Sequence, residues 1–126
     1  MKRVTGIGGA FFKSKDPQKL AEWYEKHLGI PFNGGVYSGF TSEDKGEMTV
    51  FSMFPEDTDY FAPAEKPFMF NFRVEDLHKL LETLKEEGVE VLEKTEEYSY
   101  GKFGWIVDPE GNKIELWEPS ENGFES

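Results

Sequence analysis

Apolar positions across residues 5–14 alternate with small and polar ones or run together, which is the pattern of a strand. The period then changes. Leu20, Ala21, Tyr24 and Leu28 recur at helical spacing, Asp16 stands where an N-cap acceptor belongs, Pro17 takes the first helical position, and Gly29 supplies the stop. Val36–Phe40 and Met48–Phe54 read as strands joined by a polar hairpin loop at Thr41–Glu47, with a further short strand expected near Ile30–Asn33. Pro55–Pro67 holds three prolines and little periodicity, so it reads as a connection. Phe68–Val74 is again a strand, and Asp76 opens a helix whose Leu77, Leu80, Leu81 and Leu84 form one stripe that ends before Gly88. Strands are expected at Val89–Leu92, Tyr98–Val107 and Lys113–Glu118. The last two flank Asp108-Pro109-Glu110-Gly111-Asn112, where Pro suits the second position of a turn and Gly a left-handed one.

This order of elements occurs twice, and so do the residues. Gly9–Asp16 lies over Met69–Asp76, with Phe12 on Phe72, Lys13 on Arg73 and Asp16 on Asp76, while Val50–Pro55 lies over Ile114–Pro119. A repeat of this length predicts an α+β chain of two tandem βαβββ modules. Module one covers residues 5–55, a linker 56–67, module two 68–119 and a loose acidic tail 120–126. Neither module can bury its helix and both sheet faces alone. The two should therefore pack as one curved mixed sheet around a concave cavity, within a single domain of 126 residues.

Composition narrows the function classes. With 12 Phe, 5 Tyr and 3 Trp, burial is concentrated in large rings. The balance of 14 basic against 25 acidic residues gives a formal net charge of −11, which opposes nucleic-acid backbones and anionic membrane surfaces. Such a charge either solvates the surface or attracts a cationic small molecule. The absence of cysteine excludes disulfides, a thiol nucleophile and a cysteine zinc site. The first residues form no apolar run of signal-peptide length, and no later stretch reaches membrane-spanning length. A cytoplasmic protein is expected.

The segments Phe12…Asp16-Pro17…Trp23-Tyr24…Leu28-Gly29 and Asp108-Pro109-Glu110-Gly111-Asn112-Lys113-Ile114-Glu115-Leu116, in this order and spacing, resemble the vicinal oxygen chelate superfamily. That superfamily includes glyoxalase I, extradiol dioxygenases and bleomycin-resistance proteins, and the resemblance runs from Gly6 to Pro119. It implies a divalent metal in the concave sheet, held from the first and last strands of each half. By the repeat those positions are Gly9, Phe51, Met69 and Glu115, of which only Glu115 offers a donor suited to a hard cation. No metal cofactor is therefore expected. His27 and His78 fall within the helices, where a structural role outweighs one as ligand or base. The resemblance also implies a homodimer.

Strand alternation places Phe11, Lys13, Asn71, Arg73, Lys113 and Trp117 on the face of Gly9, Met69 and Glu115, joined by Phe51 and Met53 and by Trp105 or Tyr37. Glu115 is the candidate catalytic residue, as a base or a hydrogen-bond acceptor; the competing expectation pairs it with Arg73 in a buried ion pair. Asn71 either orients a ligand or satisfies a backbone group. The candidate ligand-binding set is Phe11, Lys13, Phe51, Met69, Asn71, Arg73, Trp105, Glu115 and Trp117. Two functions follow. One is a glyoxalase/bleomycin-resistance-like protein binding a small cationic or aromatic molecule without metal; the other is a metal-dependent lyase or isomerase of glyoxalase type.

Overall fold

In the computed structural model, residues 2–41 and 47–120 are described. The chain runs β1 (Val4–Ser14), α1 (Pro17–Leu28), β2 (Tyr37–Thr41), β3 (Met48–Pro55), β4 (Phe68–Val74), α2 (Leu77–Glu86), β5 (Glu90–Tyr98), β6 (Gly101–Val107) and β7 (Lys113–Pro119). Both helices start as expected. The Asp16 and Asp76 carboxylates accept the N–H groups of Lys19 and Lys79 at 3.1 and 3.2 Å, and Gly29 closes α1 in the left-handed region at φ 70°. No helix among the described residues is long and apolar enough to cross a membrane.

All seven strands join in one sheet of order β2-β3-β1-β4-β7-β6-β5. At its centre β1 and β4 run antiparallel with Ala10 opposite Phe70, and each has a parallel outer neighbour, β3 or β7. The two repeats are thus related by a local two-fold between β1 and β4. On the convex side α1 covers Ala21, Phe32 and Met53, and α2 covers Val74, Leu77, Leu80, Leu81 and Leu116. A third cluster, Phe11, Phe61, Met69 and Trp105, lies on the concave side.

The ladders correct the sequence repeat by one residue in its last strands. Phe11 pairs with Ser52 and its counterpart Asn71 with Glu115, so Ser52, not Phe51, is the equivalent of Glu115. A slip of one residue turns every side chain to the other face. Phe51 and Met53, expected in the concavity, pack instead behind the sheet with Ala21, Tyr24 and Phe32.

Three further expectations change. Ile30–Asn33 is no strand, so module one is βαββ: Pro31 has no N–H to give a ladder, and the N–H groups of Phe32 and Asn33 donate to the Glu25 carboxylate at 2.9 and 3.3 Å. The strand expected from Tyr98 is broken, with β5 ending there and β6 starting at Gly101. Gly101 has φ 145°, and a Cβ there would come within 2.4 Å of Trp117 Nε1. β5 is longer than Val89–Leu92 because its acidic half, Glu93–Glu97, belongs to a sheet edge, where charge is tolerated and discourages pairing with other chains. Most of the Thr41–Glu47 loop and all of the tail after Ser120 lie outside the described residues.

The linker is more than a connection. Phe61 is fully buried against Phe54, at 5.1 Å between ring centroids, and lies in the concave cluster with Phe11, Met69 and Trp105. Although it sits outside every strand and helix, Phe61→Ala should cost about 3–5 kcal/mol, as for a core aromatic. Tyr37→Ala, at a position 62% exposed, should stay within about 0.5 kcal/mol of wild type, both variants being compared by urea titration.

Candidate functional site: a buried acid in an aromatic trough

Glu115 stands on β7 between two neighbours that the register brings alongside it, Asn71 on β4 and Trp105 on β6. Asn71 Nδ2 donates to Oε1 at 2.6 Å and Trp105 Nε1 donates to Oε2 at 2.9 Å. The third donor comes from the linker, where the Tyr60 hydroxyl also donates to Oε2. Only 2% of Glu115 is exposed, and among the described residues no Lys, Arg or His nitrogen lies within 4.0 Å of its carboxylate. Burial pushes this carboxyl above the usual range; the bonds from Tyr60, Asn71 and Trp105 pull the other way without overcoming it. The Tyr60 phenol is held well above its ordinary value, first by burial and then by the charge of Glu115.

The expected Glu115–Arg73 ion pair does not form. Arg73 is directed to the end of the sheet, where Nη1 donates to the carbonyls of Ile7 and Met48 at 2.7 and 2.6 Å and Nη2 meets Glu47 at 3.1 Å. It therefore ties β4 to β1 and β3 and leaves the acid to neutral partners.

A cavity of about 520 Å³ opens over Glu115. Its floor is Glu115, Asn71 and Gly8; its walls are Phe11, Val50 and Tyr37 from one module and Tyr100, Phe103 and Trp117 from the other. The sheet curves enough for β2 and β6 to face each other across this space. Gly8 is required, because a Cβ there would approach Asn71 Oδ1 to 2.0 Å. That oxygen is buried without a hydrogen-bond partner, since its amide nitrogen is turned to Glu115. The site thus presents a carboxylate edge and a spare amide acceptor beneath aromatic walls. Trp117 is fixed by stacking with Phe103, with ring centroids 6.0 Å apart and planes 2° apart, and by donation from Nε1 to the Tyr100 carbonyl at 3.1 Å.

Of the residues singled out in the sequence, Phe11, Asn71, Glu115 and Trp117 border this cavity and Trp105 holds Glu115 from one side. Met69 is buried in the concave cluster, and Lys13 leans over the Phe61 ring at 5.8 Å, toward the linker. Phe51 and Arg73 are not brought to the site. Tyr60, Gly8, Val50, Tyr100 and Phe103 were missed; the signal for Tyr60 was an aromatic pair, Tyr60-Phe61, inside a connection of otherwise polar and proline-rich sequence. The histidines are on the helices as expected. His27 lies against Trp23 at 5.0 Å, and His78 is 3.5 Å from Glu97.

The donor set does not suit the divalent metal that the resemblance implies. With the register corrected, the four positions are Gly9, Ser52, Met69 and Glu115, so a neutral hydroxyl and one carboxylate are the only hard donors, and that carboxylate already accepts three hydrogen bonds. Among the described residues no group of three or more His, Asp or Glu side chains is placed to hold a metal ion.

This architecture, paired βαβ modules with a site in the hollow of their shared sheet, defines a class. Residues 7–116 match the Glyoxalase/Bleomycin resistance protein/Dioxygenase superfamily, and the chain belongs to it. Comparison with curated proteins gives no match. Among solved structures, methylmalonyl-CoA epimerase from Mycobacterium tuberculosis superposes with TM-score 0.67 at 20% identity, covering 96% of this chain and 92% of that one. A Streptomyces coelicolor methylmalonyl-CoA epimerase variant in complex with 2-nitronate-propionyl-CoA gives TM-score 0.71 at 16% identity, covering 93% and 99%. A member of the same superfamily from Vibrio splendidus 12B01 gives 0.58 at 14%, covering 86% and 95%. At these identities the likeness is one of fold.

The raised carboxyl has a consequence for stability. Because folded Glu115 binds its proton more tightly than the unfolded chain does, its contribution is full below the unfolded value, about 4.3, and is lost as pH rises through the higher folded value. Wild type should therefore lose stability relative to Glu115→Gln as pH is raised from about 4.3 toward neutrality, in urea melts compared at each pH.

Proposed function

We propose that this protein binds a small organic molecule in the aromatic trough without a metal ion. The ligand carries a cationic or N–H donor group on a flat apolar body. The observation that carries this reading is Glu115, buried with no cationic partner within ion-pair distance among the described residues, flanked by the unpartnered Asn71 Oδ1 on the floor of a cavity of about 520 Å³. A donor group on the ligand satisfies both acceptors, and charge neutralisation offsets the loss of hydration that raises the Glu115 carboxyl. The rings of Phe11, Phe103 and Trp117 supply apolar surface for the body, and a volume in this range suits an organic ligand. The net charge of −11 favours a cation on approach and disfavours polyphosphate-bearing ligands such as the coenzyme A thioesters named for the epimerases. Against a metal-dependent lyase or isomerase stands the donor set of the trough.

Benzylamine, benzyl alcohol and benzoate form a matched probe series, read by tryptophan fluorescence after extensive chelator dialysis. Benzylamine should bind more tightly than benzyl alcohol, and benzoate least. Glu115→Gln should weaken benzylamine by about tenfold or more, the loss expected of a charge-assisted hydrogen bond. Trp117→Ala should weaken all members of the series that bind. Preference for benzoate, or binding restored only by adding Mg²⁺, Mn²⁺ or Zn²⁺, would overturn the reading.

A further inference from the structure

Beyond Tyr60 the trough holds a second cavity, of about 320 Å³, that the proposed ligand site does not use. Tyr60, Trp105 and Leu92 give it apolar surface, and Lys94, Lys113, Asp59 and Glu96 line the rest. We propose that Lys113 is a nucleophilic amine that captures small neutral aldehydes in this cavity as imines.

The geometry singles out this lysine. Lys113 begins β7, two residues before Glu115 and on the same face, so its side chain enters the trough. Its Nζ stands 5.2 Å from the centre of the Tyr60 ring and 5.3 Å from that of Trp105, and donates to the Tyr60 carbonyl at 2.6 Å. Among the described residues no carboxylate lies within 4.0 Å of it, whereas the neighbouring Lys94 is paired with Glu96 at 2.8 Å. A half-covered ammonium with no carboxylate in contact releases its proton more readily than a surface lysine. Burial, with a smaller contribution from the charge of Lys94, lowers the Lys113 pKa, while Glu115, Glu96 and Asp59 act against it.

The walls decide between an electrophile and an anion. Lys94 and Lys113 are matched by Asp59 and Glu96, so the cavity carries no net positive charge and an anion gains little. A neutral carbonyl compound is not repelled, and its aryl or alkyl part can rest on Trp105 and Leu92. In the reaction the Lys113 lone pair forms a C–N bond to the carbonyl carbon, nitrogen gives up its two hydrogens, and the carbonyl oxygen departs with them as water. No electrons are transferred.

The test treats the whole protein with limiting benzaldehyde and cyanoborohydride near neutral pH and maps the benzylated lysines by peptide mass spectrometry at low conversion. Lys113 should react several-fold faster than Lys94 or Lys102, because a lowered pKa leaves more free amine near neutral pH, with the preference shrinking at about pH 10 and the label lost in Lys113→Met. Labelling of Lys113 at or below the rate of Lys94 would overturn the proposal. The experiment involves neither the Glu115 cavity nor benzylamine, so its outcome is independent of the ligand-binding reading above.

Discussion

A carboxylate removed from water must find hydrogen bonds in place of hydration, and the way Glu115 finds them organises this molecule. Its three donors come from three separate segments: Asn71 from the first strand of the second module, Trp105 from β6, and Tyr60 from the linker. None brings a charge. The acid is thus kept in place but not neutralised, which leaves its affinity for a proton raised and its affinity for a cationic group unspent. An arginine at the same spot would have ended the site as a structural ion pair. Arg73, two residues beyond Asn71 on β4, is instead consumed by the carbonyls of Ile7 and Met48.

The two repeats have diverged in what they place on the shared concave face. Where the second module offers Asn71 and Glu115, the first offers Phe11 and Ser52. Both acceptors of the trough therefore come from the second module, while the first contributes Phe11, Tyr37 and Val50. A molecule with a flat body and one donor end matches that asymmetry, while a metal ion needs hard ligands from both halves. Phe51 and Met53, by turning to the convex side, build the floor under α1 rather than the wall of a pocket.

The linker completes what the repeats leave open. Phe61 fills the concave cluster, and Tyr60, stacked on Phe54 at 5.4 Å and edge-on to Trp105 at 6.3 Å, stands between two cavities of different character. One has an acid at its floor and aromatic walls; the other has an amine at its edge and balanced charges. Tyr60 touches the chemistry of both, its hydroxyl on Glu115 and its carbonyl on Lys113.

Local information determined a large part of this. The helices and their caps, the Asp108–Asn112 turn, the tandem order and the candidates Glu115, Asn71, Trp105 and Trp117 were legible in residues 5–119, because periodicity, capping and turn chemistry act over a few positions. Only the tertiary structure decided the register of β3 against β1, which moved Phe51 out of the site and Ser52 into it. A repeat aligned by residue type does not see a single-residue slip, but backbone ladders do. It also decided the partners of Glu115 and Arg73 and the fate of Tyr60, since each rests on contacts between segments far apart in the chain. An irregular linker carries no period from which its side chains' destinations can be read. Those were set by the space left between the modules once they had packed.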